Sequence, residues 1–239
     1  MDLDIGLQSL RNDRAEFTAL HGSDLTARVI GCPEWDLAAL VGHLGSVHRF
    51  AMRSMDRSTN GEFTKPKLPA DPVPENELLW DWLESGFVSL IATFEERDLS
   101  EPCWSWIGPA TVGWWLRRQV HETAVHRWDA QTAAGVVPVI DGSRAADGVD
   151  EWLLLKGGHG WTPPAELRGT IHLHATDGDG EWLIELDESL TWKIGHHKGD
   201  VALRGARSDL ELLLWGRVGL DNVEVLGDRD LAARFLAAL

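Results

Sequence analysis

Glu122 and His126 are four residues apart in the segment WWLRRQVHETAVHRWDAQTAAG, which carries helical periodicity. At about 100° per residue, that spacing returns two side chains to nearly one azimuth, one turn apart, as a helix must do to offer two ligands to one ion. The pair continues a stripe through Trp115, Gln119, Glu122, His126, Asp129 and Ala133. A carboxylate and an imidazole therefore stand where a helix normally turns apolar groups toward a core. Burying them without a partner is costly, so a metal site is the first hypothesis.

A third ligand lies upstream. CPEWDLAALVGHLGSVHRF reads as a helix with Pro33 in its first turn, and Leu40, His43, Val47 and Phe50 fall along one inward stripe. Two histidines and one glutamate from two helices form a donor set that suits zinc, and three protein ligands leave a coordination position open for chemistry. The plainer alternative is a hydrogen-bonded core histidine, with Glu122 paired to Arg118 one turn earlier as an ordinary helix ion pair. His121 and His126 are five apart, about 140° around the helix, so the segment is not the H-E-x-x-H zinc-protease signature. By the same geometry His48 points about 140° away from His43 and is expected to pack beside Leu44.

Four helices are expected to position these groups, over residues 3 to 21, 33 to 56, 75 to 96 and 112 to 134, with Gly135 closing the last. Between the second and third, Pro66, Pro69, Pro72 and Pro74 enforce a long non-helical crossover that permits a non-adjacent helix order. A Trp-rich loop through Cys103, Trp104 and Trp106 leads into the fourth helix. Such bundles place ligand sites between facing helices.

After Gly135 the pattern changes. Residues 166 to 205 alternate at period two, with Asp-Gly turn signals at 177 to 180, and read as three or four short antiparallel strands. A helix near 207 to 217, a strand at NVEVLG and a closing helix follow. The chain is thus read as α+β: a four-helix bundle over residues 1 to 140, then a smaller domain of antiparallel sheet plus helices over 141 to 239, joined through a helix containing Trp152. His172 and His174 fall on the strand face opposite Ile171 and Leu173 and are expected to be solvent-exposed. His196 and His197 are adjacent and point opposite ways, and His159 sits in a glycine-rich KGGHGW loop that lacks the Lys-Ser/Thr of a phosphate loop.

Composition narrows the function. With 22 basic against 38 acidic residues the formal charge is −16, which repels nucleic-acid backbones and anionic membrane surfaces. No stretch approaches the roughly 20 apolar residues of a membrane span and the N-terminal residues do not resemble a signal peptide, so a cytoplasmic protein is expected. Cys32 and Cys103 are far apart and form no C-x-x-C pair, which argues against a disulfide framework.

Two segments resemble the mycothiol-dependent maleylpyruvate isomerase family, whose N-terminal part belongs to the DinB-like metal-binding four-helix bundles. Trp35 followed eight residues later by His43 resembles the family's tryptophan-to-ligand-histidine stretch, and Glu122, His126 and Asp129 resemble its E-x-x-x-H-x-x-D segment. SDLELLLWGR, Ser208 to Arg217, resembles the family's C-terminal sterol-carrier-like domain, so the similarity spans nearly the whole chain. Ala39 departs from it, standing where an aspartate is common. The resemblance implies His43, Glu122 and His126 as ligands of a divalent metal, zinc above all, with mycothiol as thiol cosubstrate and a small acid as substrate. It implies thiolate addition to the cis double bond of maleylpyruvate, rotation and elimination, with Arg217 as the catalytic arginine; Arg204 and Arg207 are alternatives, and helix capping is the plainer role for Arg217. Asp129 would orient a ligand imidazole.

Two other functions compete. A mycothiol S-transferase would use the same thiolate on an electrophile, with the Trp-rich residues 103 to 115 walling a larger apolar pocket. A non-enzymatic ligand-binding metalloprotein would hold an apolar ligand in the C-terminal domain. The sequence does not distinguish monomer from dimer.

Overall fold

The computed structural model describes residues 1–56, 63, 65–67, 71–158 and 161–239. Pro69 of the expected crossover and His159 of the glycine-rich loop lie outside them. The chain divides into two compact units, Met1–Pro138 and Val139–Leu239.

In the first unit four helices run over α1 Leu3–Ala19, α2 Leu37–Met55, α3 Leu79–Glu95 and α4 Val112–Ala133. α1 and α2 each pack on both α3 and α4, the helix order that a long second connection allows. Of the crossover prolines, Pro66, Pro72 and Pro74 lie in irregular backbone. Packing of α2 on α3 is close because residue 45 is glycine: a Cβ there would stand 2.4 Å from the Trp82 ring. Arg49 then lies over that ring at 3.9 Å, a cation–π contact. The apolar core comprises one cluster around Leu10, Phe50, Phe94 and Trp115 and another around Phe17, Leu44 and Phe87.

Pro33 does not enter the first turn of α2. The helix starts at Leu37, where the Asp36 carboxylate accepts the Ala39 N–H at 2.8 Å. A side-chain cap outcompetes the proline position because it satisfies a backbone donor that is otherwise orphaned. Residues 27 to 37 instead fold back on themselves, with the Val29 N–H donating to the Trp35 carbonyl at 3.1 Å and Leu37 to Ala27 at 2.9 Å, which fixes Trp35 at the mouth of α2.

The expected Trp-rich loop is a hairpin, β1 Pro102–Ser105 and β2 Gly108–Thr111, feeding α4 through a Thr111 cap. Trp104, Trp106, Trp114 and Trp115 meet edge-on with one another or with Phe50; Trp115 is fully buried, Trp104 and Trp114 pack partly buried against the same core, and Trp106 is exposed. α4 ends as expected at Gly135 (φ 74°), with the Gly135 N–H bonded to Thr132 and Val136 to Gln131 in a Schellman closure. α4 also buries a polar seam against α1: Arg127 Nε donates to Asp13 at 2.8 Å, and Gln131 to Glu16 at 2.8 Å. Removing one partner of a buried charge pair of this kind typically costs about 3–5 kcal/mol.

The second unit begins with α5, Gly142–Gly157, which carries the buried Trp152. Then follow β3 Gly169–Ala175, β4 Glu181–Leu186, β5 Leu190–Ile194, β6 Val201–Gly205, α6 Arg207–Leu214, β7 Glu224–Gly227 and α7 Arg229–Ala237. The sheet order is β5-β4-β3-β6-β7. The fold class is α+β, but the sheet is mixed and not purely antiparallel, because β3 and β6 pair in parallel with Ile171 opposite Val201. The alternation that marks a strand carries no information about the direction of its neighbour. His172, expected in solvent, is 5% exposed in the central strand, while His174 is half-buried. His196 and His197 follow β5 in irregular backbone.

Candidate metal centre

His43 of α2 and the α4 pair Glu122 and His126 come together in the first unit, each offering one donor atom within 4.8 Å of the others. Both imidazoles address one carboxylate oxygen. His43 Nε2 lies 3.2 Å from Glu122 Oε1, and His126 Nε2 lies 3.3 Å from the same atom. Ligands about 2.0–2.1 Å from a tetrahedral zinc ion are roughly 3.3–3.4 Å from one another, so these two contacts already have that spacing.

The plainer ion pair is present as well. Arg118, buried, donates from Nη2 to Glu122 Oε2, leaving Oε1 for the histidines. Burial alone would raise the Glu122 carboxyl, but Arg118, His126 and His43 overcome it and hold the group well below the usual carboxylate range. Burial would also lower His126; Asp129 and Glu122 reverse this and raise it to about 9. Asp129 is 1% exposed and its Oδ2 is 3.0 Å from His126 Nδ1. The Asp129 carboxylate accepts from Nδ1–H and fixes the orientation of the ring, so that Nε2 faces Glu122; a carboxylate behind the ring in this way is usual for metal-bound histidines.

Trp35 touches both imidazoles, with ring centroids 4.7 Å from His43 and 5.9 Å from His126. A cavity of about 410 Å³ opens beside His43, lined by Trp35, Ala38, Ala39, Gly42, His43, Ser46, Val47 and Val73. Ala39 thus faces the cavity. The tryptophans of residues 104 to 115 are absent from its lining, contrary to the expectation of a Trp-rich pocket wall.

His48 is fully buried against Phe87, with centroids 4.5 Å apart, and burial pushes it down to about 3. It is a neutral core histidine. His121 is also buried and stands outside the ligand cluster. Cys103 is buried and its thiol is pushed up to about 11, so it packs as a small apolar group. In the second unit Arg217 follows α6, with its N–H bonded to Leu212 at 2.8 Å and Nη1 donating to the Trp215 carbonyl at 2.7 Å, as a capping arginine does. Arg204 pairs with Glu224 at 2.7 Å, and Arg207 with Asp177 at 3.2 Å. A cluster the sequence reading passed over lies on the sheet, where His172, His174, Glu181 and His196 converge. Its signal was the i, i+2 histidine pair, but the partners come from β4 and from the segment after β5.

Residues 8–131 match the family model described as the mycothiol maleylpyruvate isomerase N-terminal domain, and residues 143–234 match the C-terminal domain model of the same family. Solved structures share the fold. The crystal structure of a mycothiol-dependent maleylpyruvate isomerase superposes with a TM-score of 0.67 at 15% identity, covering 94% of this chain and 93% of that one. A histidine-to-alanine mutant of a mycothiol-dependent maleylpyruvate isomerase superposes at 0.64 with 14% identity and the same coverage of both chains. Among curated proteins no sequence match is found. No helix among the described residues is long and apolar enough to cross a membrane.

Proposed function

The chain belongs to the mycothiol maleylpyruvate isomerase family, and from that premise we propose that it is a metal- and mycothiol-dependent isomerase acting on maleylpyruvate or a similar small acid. The observation that carries this reading is the convergence of two imidazole Nε2 atoms on one oxygen of Glu122 beside an open cavity. His43, Glu122 and His126 would hold a divalent ion, zinc by the character of the donors. When bound, such an ion lowers the pKa of a thiol far enough to supply a thiolate at neutral pH.

The protein's own groups divide the remaining work. Arg118 keeps Glu122 ionised, and Asp129 fixes the tautomer and aim of His126. Trp35 packs its ring at a tilt against both imidazoles. The mycothiol sulfur forms a bond to one carbon of the cis double bond, and the electron pair moves onto the conjugated carbonyl as an enolate. The carbon–carbon bond, now single, rotates. The enolate then re-forms the double bond, the carbon–sulfur bond breaks, and the trans acid and the thiolate are released with no net change in atoms. In this reading Arg217 is the arginine assigned to the substrate carboxylates, through a planar fork that lysine lacks.

Mixing zinc-loaded protein with mycothiol and maleylpyruvate tests the proposal. Appearance of the trans product, fumarylpyruvate, with mycothiol unconsumed supports it, and absence of turnover in fully metallated protein refutes it. A mycothiol S-transferase is the second reading, favoured by one observation: among the described residues the cavity beside His43 has no arginine or lysine in its lining, which is largely apolar. Mass spectrometry separates the two, since a transferase consumes thiol and accumulates the conjugate.

A further inference from the structure

We propose that His172, His174, Glu181 and His196 form a second metal site, specific to a late first-row divalent ion such as Zn2+, that ties β3 and β4 to the segment following β5 in the second unit. It is separate from the centre on α2 and α4 and does not depend on the proposed reaction. His172 and His174, two apart on β3, present their rings on one face, while Ile171 and Leu173 enter the core on the other. The β3–β4 register sets Glu181 directly opposite His174. His196 follows β5, anchored by the Gly195 N–H to the Glu181 carbonyl at 2.9 Å, with Gly195 at φ 113° where a side chain would be strained.

Three imidazoles therefore surround one carboxylate. His196 Nδ1 is 2.7 Å from Glu181 Oε2, His174 Nδ1 is 3.3 Å from Oε1, and His172 Nε2 is 3.2 Å from Oε2. The rings meet edge-on at centroid distances of 5.4 to 6.4 Å. The four donor atoms lie within 4.8 Å of one another. One observation separates this group from an ordinary surface ion cluster. His172 is 5% exposed, and its Nε2 atom, aimed at the centre of the group, makes no hydrogen bond of acceptable geometry. A buried ring nitrogen that faces a carboxylate without a well-aligned hydrogen bond is under-satisfied, and a coordinate bond would satisfy it.

Three imidazoles and a carboxylate suit zinc, copper or nickel and disfavour calcium or magnesium, which take oxygen ligands. Four protein ligands fill a tetrahedral shell, so this site is structural, in contrast to the three-ligand centre. His196 is the most adjustable of the four, with its side chain 79% exposed.

The test is to titrate the full-length protein with Zn2+ alone and count tightly bound ions by elemental analysis after dialysis, with circular dichroism confirming the fold. His126→Ala is expected to retain one ion per chain, and His126→Ala combined with either His174→Ala or Glu181→Gln to retain none. In the His126→Ala background, Co2+ is expected to give the intense visible bands of a tetrahedral site. Where His126→Ala does not fold, His174→Ala and Glu181→Gln in the otherwise unchanged chain must each bind one ion fewer than their parent. Equal ion counts in parent and variants, or no ion in folded His126→Ala, overturn the proposal.

Discussion

Asp129 lies one turn beyond His126 on α4, buried, with its Oδ2 3.0 Å from the Nδ1 atom of the imidazole. A carboxylate so placed makes one ring nitrogen a donor and frees the other as a ligand. Asp129→Asn keeps the shape and loses the charge, and is expected to weaken zinc binding about 10- to 100-fold. Competition with a chromogenic chelator measures this, and unchanged affinity would remove Asp129 from the site.

His126→Ala is expected to abolish both zinc binding at the α2–α4 centre and turnover, while far-UV circular dichroism stays near that of the parent. α4 carries its caps at Thr111 and Gly135, away from the substitution. Retained turnover would contradict the assignment of this residue as a ligand.

Zinc uptake should release a proton. In the metal-free protein His126 is raised to about 9, so at neutral pH its imidazole is charged and must become neutral to coordinate. Affinity is therefore expected to rise about tenfold per pH unit from neutrality toward pH 9. Calorimetry in buffers of different ionisation enthalpy counts the protons; zero released per ion at pH 7 would contradict the charged state.

His48 should govern part of the acid limb of stability. Its folded value is pushed down to about 3, chiefly by burial and then by Arg49, whereas an unfolded histidine titrates near about 6.5. A lowered value favours the neutral form in the fold, so this stabilisation is present above about pH 6.5 and is lost as pH falls toward 3. In His48→Leu, denaturant unfolding between pH 6.5 and 4 should show a shallower fall in stability than the parent. An identical slope would mean that His48 does not stay neutral on folding.

Much of this was readable from spacing. The 3–4 rhythm of Trp115, Gln119, Glu122, His126 and Asp129 turned two chemical groups inward; of the α2 stripe, Leu40 and Phe50 are buried in the core, whereas His43 and Val47 are half-buried and line the cavity. What escaped was decided by competition or by distant neighbours. Asp36 displaced Pro33 from the helix start because a cap satisfies a backbone donor. The hairpin at Pro102–Thr111 carries too little alternation to announce two four-residue strands. Parallel pairing of β3 with β6, and the meeting of His172 with Glu181 and His196, join residues up to 30 positions apart, beyond any local period. The face of His172 was inferred correctly and its burial was not, because the rings and carboxylate beside it come from its own strand, from β4 and from the segment after β5.

The most direct measurement is anomalous diffraction at the zinc absorption edge from crystals of zinc-loaded protein. The expected result is a peak about 2 Å from each of His43 Nε2, Glu122 Oε1 and His126 Nε2, with at least one further coordination position open to solvent or thiol. A map with no peak there, and with the two imidazoles still hydrogen-bonded to Glu122, would contradict it.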